Sequence, residues 1–197
     1  MTRIIAGAAR GRRLAVPPGR STRPTADRAR EGLFSTLESL AGTLRGARLL
    51  DLYSGSGAVG LEALSRGAAA ALMVDSDAAA VQAMEANIVA VGLPGAQVHK
   101  VPAERLLSAP PVDDPFDIAF LDPPYELDDD ALRGVLVDAL AHGWLAPAAV
   151  VAVERGTRGG PWTWPAGFQP DRSRRYGEAT LWYGHAGPSP AAPMTEV

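Results

Sequence analysis

The chain has 197 residues, 47% of them hydrophobic, and a net charge of −3, enough for one domain with a buried core and a modest extension but not for two large domains. It contains no cysteine, which excludes disulfides, cysteine-ligated zinc, iron–sulfur clusters and thiolate nucleophiles. No apolar run approaches the roughly 18 residues of a membrane span, and the N-terminus lacks the apolar core of a secretory signal, so a soluble, cytoplasmic protein is expected, without a membrane partner.

Charge is distributed unevenly. The first 30 residues carry eight arginines (Arg3, Arg10, Arg12, Arg13, Arg20, Arg23, Arg28 and Arg30) against one acid, Asp27, giving +7 there and −10 over the remainder. A cationic arm on an acidic body suits a polyanion held at one edge; a merely solvated arm is the alternative. Within it, short β-compatible segments at Arg3 to Ala6 and Arg12 to Val16, separated by Gly7 to Gly11, predict a hairpin. Pro17, Pro18 and Gly19 break it. From Thr25, Leu33, Phe34, Leu37 and Leu40 recur at helical spacing, with Thr25 able to cap and Asp27 favouring the first turn, until Gly42.

The body alternates strand and helix. Strands are expected at Ala47 to Leu52, Ala70 to Val74, Gln97 to Val101, Phe116 to Leu121 and Ala149 to Glu154. Helices fall between them at Ala58 to Arg66, Ala78 to Val91, Glu104 to Leu107 and Asp129 to His142. This rhythm predicts an α/β fold with a parallel sheet covered on both faces. Gln169 to Arg175 and Ala179 to Gly184, joined by Tyr176 and Gly177, predict an antiparallel hairpin closing one edge. Three regions follow: a basic N-terminal hairpin at 1–24, a main domain at 25–184, and a Pro-, Ala- and Ser-rich tail at 185–197 expected to be disordered.

Two segments carry chemistry. Asp51-Leu52-Tyr53-Ser54-Gly55-Ser56-Gly57-Ala58-Val59-Gly60 stands where a strand passes into a helix and fits G-x-G-x-x-G. Its glycines allow close approach of a nucleotide-like ligand, and the following helix offers free N–H groups. Asp75, 24 residues after Asp51, ends the next strand, where an acid can bind ribose hydroxyls. NAD and S-adenosylmethionine share that ribose, and a tight turn without ligand also fits. Asp51 separates them: an acid just before the glycines would repel a pyrophosphate but can order the ammonium end of S-adenosylmethionine.

The second segment is Asp122-Pro123-Pro124-Tyr125, directly after an apolar strand. An amine conjugated to a base ring attacks a methyl group poorly, because its lone pair is delocalised. Acceptors at the Asp122 carboxylate and the Pro123 carbonyl would bind its N–H groups and favour a pyramidal nitrogen. The two prolines stiffen the loop, and Tyr125 offers a stacking face for a splayed base. Neither a metal nor a thiol is required. A rigid turn is the alternative, but both segments stand at C-terminal ends of predicted parallel strands, where such sheets bind ligands.

Taken together, Ile4-Ile5-Ala6-Gly7 with Arg12-Arg13-Leu14, Arg23-Pro24-Thr25-Ala26-Asp27-Arg28-Ala29-Arg30-Glu31, Asp51 to Leu64 and Asp122 to Tyr125 resemble the class I, Rossmann-like methyltransferases, and more closely the bacterial RsmD family. The resemblance covers nearly the whole chain. It implies a mostly parallel seven-stranded sheet and S-adenosylmethionine-dependent methylation of N2 of guanine 966, in bacterial 16S numbering, on the small ribosomal subunit or an assembly intermediate, by a monomer. On that basis Asp122, Pro123, Pro124 and Tyr125 are the catalytic candidates. Asp51, Tyr53, Gly55, Ser56, Gly57, Asp75, Ala103 and Glu104 are the cofactor candidates, and Arg3, Arg10, Arg12, Arg13, Arg23, Arg28 and Arg30 the RNA-contacting ones. Two positions depart from the family pattern. Pro102 stands where Asn or Asp usually precedes Ala to hold the adenine, leaving the Ala103 N–H or Glu104 to substitute, and Asp75 stands where Glu is more usual.

Other functions fit parts of the pattern. An adenine or cytosine amino-methyltransferase would use the same loop, although only 72 residues follow Tyr125, leaving little room for a separate target-recognition region. An NAD-dependent dehydrogenase would use the glycine turn, and a non-enzymatic RNA-binding assembly factor would use the arm alone. Trp144, Trp162, Trp164 and Trp182 are expected to pack rather than stack on bases. Arg172, Arg174 and Arg175 either extend an RNA track or protect an edge strand.

Overall fold

The computed structural model describes residues 2–17 and 24–188. Seven strands form one sheet: β3 (Arg48–Leu52), β4 (Ala70–Asp75), β5 (Ala96–Lys100), β6 (Phe116–Leu121), β7 (Leu145–Gly156), β8 (Phe168–Tyr176) and β9 (Ala179–Ala186). They lie in the order β5-β4-β3-β6-β7-β9-β8. The first five are parallel, and β9 inserts antiparallel between β7 and β8. The expected mostly parallel seven-stranded sheet with a C-terminal antiparallel hairpin is therefore present. Order reverses at β3, whose neighbours are β4 and β6, and this switch point opens a crevice at the strands' C-terminal ends.

Helices cover both faces because the central strands are apolar throughout. On one face α1 (Pro24–Ala41) buries Leu33, Phe34 and Leu37 against Ile118, Phe120, Val150 and Ala152, each side chain contributing roughly 1.5 to 3 kcal/mol. On this same side α2 (Ala58–Ser65) packs against β4. The close approach explains its glycines: a Cβ at Gly57 would stand 2.7 Å from the Met73 sulfur and one at Gly60 2.6 Å from Met73 Cγ. α3 (Ala78–Val91) covers β4 and β5. α4 (Ala103–Leu107) and α5 (Asp129–Ala141) cover the opposite face of the sheet, against Leu50, Leu52, Leu72, Ala119 and Leu121.

The N-terminal hairpin differs from expectation. Its paired strands shrink to β1 (Thr2–Arg3) and β2 (Arg13–Leu14), because helix side chains take the place of ladder partners. The Ile5 and Ala6 N–H groups donate to the Glu62 carboxylate at 2.7 and 2.9 Å, and Ala15 N–H donates to Asn87 Oδ1 at 2.7 Å. Ile4, Ala9 and Leu14 join a core with Leu61, Leu64, Met73 and Met84. Gly7, at φ +80°, lies so close to α2 that a Cβ would overlap the Ser65 carbonyl oxygen at 1.8 Å. The hairpin is packed into the body rather than appended to it.

Other boundaries move less. β7 runs from Leu145 instead of Ala149, with a register shift between Phe116 and Ile118 and a positive φ at Ala148 absorbing the added residues. β9 continues past Gly184 to Ala186, which pairs with Phe168 and is buried, so the first two residues of the expected tail belong to the sheet. Residues 189–197 of that tail lie outside the described residues, as do Arg20 and Arg23. Trp144 and Trp162 are buried in the core, Trp144 stacking on Phe116 and donating its indole N–H to the Ala109 carbonyl at 2.7 Å. No helix among the described residues is long and apolar enough to cross a membrane.

Candidate active site

The glycine turn is held open by its own hydrogen bonds. Asp51, buried near the end of β3, accepts from Gly60 N–H at 3.0 Å, and Ser54 Oγ bridges to β4 by accepting from Val74 N–H at 2.8 Å. Gly57, at φ 71°, caps α2, so the backbone turns without filling the crevice. Asp75 accepts from Gly55 N–H at 2.8 Å and from Asp77 N–H at 3.0 Å. These bonds fix its carboxylate at the end of β4 while leaving it further lone pairs.

A cavity of about 230 Å³ lies over this turn. The strand ends and the turn contribute Asp51, Tyr53, Ser54, Ser56, Phe120, Asp122 and Glu154 to its lining. Thr2, Val16, Pro17, Ala29, Arg30 and Leu33, from the hairpin and α1, roof it. Asp51 and Asp122 thus open into one space. Burial, opposed by the Gly60 N–H and reinforced by Asp122 and Asp75, pushes the Asp51 carboxyl up to about 7. Burial, reinforced by Asp122, pushes Glu154 up to about 8. Three acids, Asp51, Asp122 and Glu154, thus line one cavity, and that concentration of carboxyl groups favours a cationic guest.

The remaining cofactor candidates sit beside this cavity. Tyr53, a non-glycine residue at φ 61°, donates its hydroxyl to Glu104 at 2.8 Å, tying the cavity wall to α4. Ala103 is buried, and Pro102 takes the N-cap position of α4. Pro102 brings no side-chain cap to this helix, whose first turn carries Glu104.

The Asp122-to-Tyr125 loop is divided. Asp122 faces the first cavity, whereas Tyr125 lines a second one, of about 510 Å³, with Arg155, Gly156, Arg158 and Trp162. The Tyr125 ring approaches Gly156, where a Cβ would be 3.3 Å from Cε1, yet it remains 79% exposed. Sequence reasoning gathered these residues at one centre; the structure lines the first cavity with Asp122 and the second with Tyr125, three residues further along the same loop. Arg155 ties down the residues that follow, donating to the Leu127 carbonyl at 2.9 Å and pairing with Asp129 at 2.8 Å.

Among the arginines, Arg3, Arg10, Arg12, Arg13 and Arg28 are exposed. Arg30 is not: it is 7% exposed and donates to the Arg3 carbonyl at 2.6 Å and to Asp27 at 3.0 Å. The packing that places its helix over the cavity turns its guanidinium inward, so its place is the roof rather than a phosphate track. Glu154 was missed as a site residue. The available signal was positional, since it ends the strand expected beside the one that leads into Asp122.

The family model described as Conserved hypothetical protein 95 matches residues 2–185. The chain is 38% identical over 180 residues, 89% of its length and 85% of the relative's, to Ribosomal RNA small subunit methyltransferase D of Escherichia coli. Among solved structures it is similar to the Escherichia coli protein yhhF, with a TM-score of 0.81 and 34% identity, covering 94% of this chain and 97% of that one. It also shares its fold with magnesium protoporphyrin IX methyltransferase from Synechocystis, solved with bound S-adenosylmethionine, at a TM-score of 0.59 and 14% identity over 85% of this chain and 86% of that one.

Proposed function

The chain belongs to the family described as Conserved hypothetical protein 95, the RsmD family, and from that premise we propose that it methylates the exocyclic N2 of a guanine in 16S ribosomal RNA. It is an S-adenosylmethionine-dependent rRNA methyltransferase, so the dehydrogenase and silent-binder readings fall away. The target base, the small subunit or an assembly intermediate as substrate, the monomeric state and the cytoplasmic setting are the proposed parts. The observation that carries the site is that Asp51 and Asp122 share one cavity across the switch point.

S-adenosylmethionine supplies an activated methyl group on a sulfonium. Asp51 would hold its ammonium end, Asp75 its ribose, and Glu104 with the α4 N-terminus its adenine side. The Asp122 carboxylate and the Pro123 carbonyl accept the N–H groups of the target amine and turn its lone pair toward the methyl group. The loop stiffened by Pro123 and Pro124 sets this geometry before the base arrives. The base enters across Tyr125, whose exposed ring gives about 1 to 3 kcal/mol of stacking. After attack the alkylated amine is strongly acidic and its proton leaves to Asp122 or water.

Transfer of labelled methyl to small-subunit RNA tests this reading. Asp122→Ala is expected to lower kcat at least about 100-fold while calorimetry still shows S-adenosylmethionine binding. Base-resolution mapping should find the mark on a guanine N2. Undiminished transfer by Asp122→Ala, or a mark on adenine or cytosine, would overturn the assignment.

A further inference from the structure

Glu154 lines the same cavity as Asp122 and has no part in the reaction as derived above. β6 and β7 run parallel in the register Ile118↔Val150 to Leu121↔Val153, so the next position sets Asp122 beside Glu154. Strand alternation places both on the face where Ile118, Phe120, Val150 and Ala152 pack under α1. Two carboxylates therefore stand side by side in the cavity that Asp51 also lines.

Bases that carry an exocyclic amine differ at the ring atom next to it. In guanine, N1 bears a hydrogen and lies beside N2, so the edge presents neighbouring donors. In adenine and cytosine the corresponding ring nitrogen is a bare acceptor. Two adjacent acceptors on the protein match the first pattern and oppose the second, since a carboxylate facing a ring lone pair leaves both unpaired.

We propose that Glu154 selects the base: its carboxylate accepts N1–H of the guanine whose N2 amine is gripped by Asp122 and Pro123. The inference rests on the guanine-N2 reading and deepens it. Burial and Asp122 favour the neutral form of Glu154; a cation in the cofactor position and a donor at N1 each favour the ionised form. The acceptor therefore becomes available as the ternary complex assembles. Asp122 grips the reacting amine, whereas Glu154 reads the atom beside it.

The test uses small-subunit rRNA made by splint ligation with guanine or 2-aminopurine at the accepting position and assembled into subunits. 2-Aminopurine keeps the amine but has a bare N1. The wild-type enzyme is expected to prefer guanine by at least about tenfold in kcat/KM. Glu154→Gln, whose amide offers either a donor or an acceptor, should bring that ratio close to unity. Equal use of both bases by the wild type would overturn the inference without any variant, and so would an unchanged ratio in Glu154→Gln. If the wild type transfers no methyl to the guanine substrate, the guanine reading itself fails; if it does, and Glu154→Gln leaves the ratio unchanged, only the role of Glu154 fails.

Discussion

Asp51 serves two opposing demands. As a buried acid with its pKa raised from 3.8 to about 7, it contributes stability that is fully present below about pH 4 and lost as pH rises through 7, because ionisation is penalised in the fold. As a partner for an ammonium it works only when ionised. S-adenosylmethionine affinity should therefore rise by up to about tenfold per unit as pH climbs from about 5.5 to about 7, then level off. Asp51→Asn keeps an acceptor for Gly60 N–H and should bind weakly with a flattened pH profile. Calorimetric titrations across that range check both, and an unaltered slope in Asp51→Asn would remove Asp51 from cofactor binding.

At the scale of elements, the N-terminal hairpin depends on one helix side chain. Glu62 is fully buried, accepts from Ile5 and Ala6 N–H, and pairs with Arg66 at 2.8 Å. Glu62→Ala leaves those donors uncompensated and Arg66 with Glu38, at 3.3 Å, as its remaining carboxylate partner, and should cost roughly 3 kcal/mol in urea unfolding while exposing the hairpin to protease. A loss under about 1 kcal/mol would mean that water replaces the carboxylate. The same substitution should weaken cofactor binding, because Thr2, Val16 and Pro17 roof the cavity. The hairpin's strands were legible from β-compatible residues around a glycine-rich turn; the replacement of its ladder by Glu62 and Asn87 was not, since those residues lie 45 or more positions away in sequence.

Across the whole molecule, charge and cavity come together. Arg3, Arg10, Arg12, Arg13 and Arg28 stand exposed on the hairpin and α1, the two elements whose Thr2, Val16, Pro17 and Ala29 line the cavity, while the hairpin turn beside Arg10 packs on Ser65 at the C-terminal end of α2. Replacing Arg10, Arg12 and Arg13 with Ala should weaken RNA binding and flatten its log–log salt dependence by about 0.7 per lost contact on single strands, measured by fluorescence titration over a salt series. An unchanged slope would make the arm a bystander. Arg30→Ala should instead lower stability, since its guanidinium is bonded inside the roof.

Local pattern was enough for the strand–helix alternation, the glycine turn and the proline loop, because each is written in consecutive residues: apolar runs form strands, glycines permit the turn, and prolines fix the loop wherever they fold. Such signals also give the sheet its class, since alternating units of this kind close into parallel strands. Tertiary structure alone decided that Asp51 and Asp122 share a cavity, that Tyr125 lines a second one, that Arg30 turns inward and that Glu154 comes beside Asp122. Each of these depends on strand order and register, which bring together residues far apart in the chain, and no local sequence pattern encodes the distance between them.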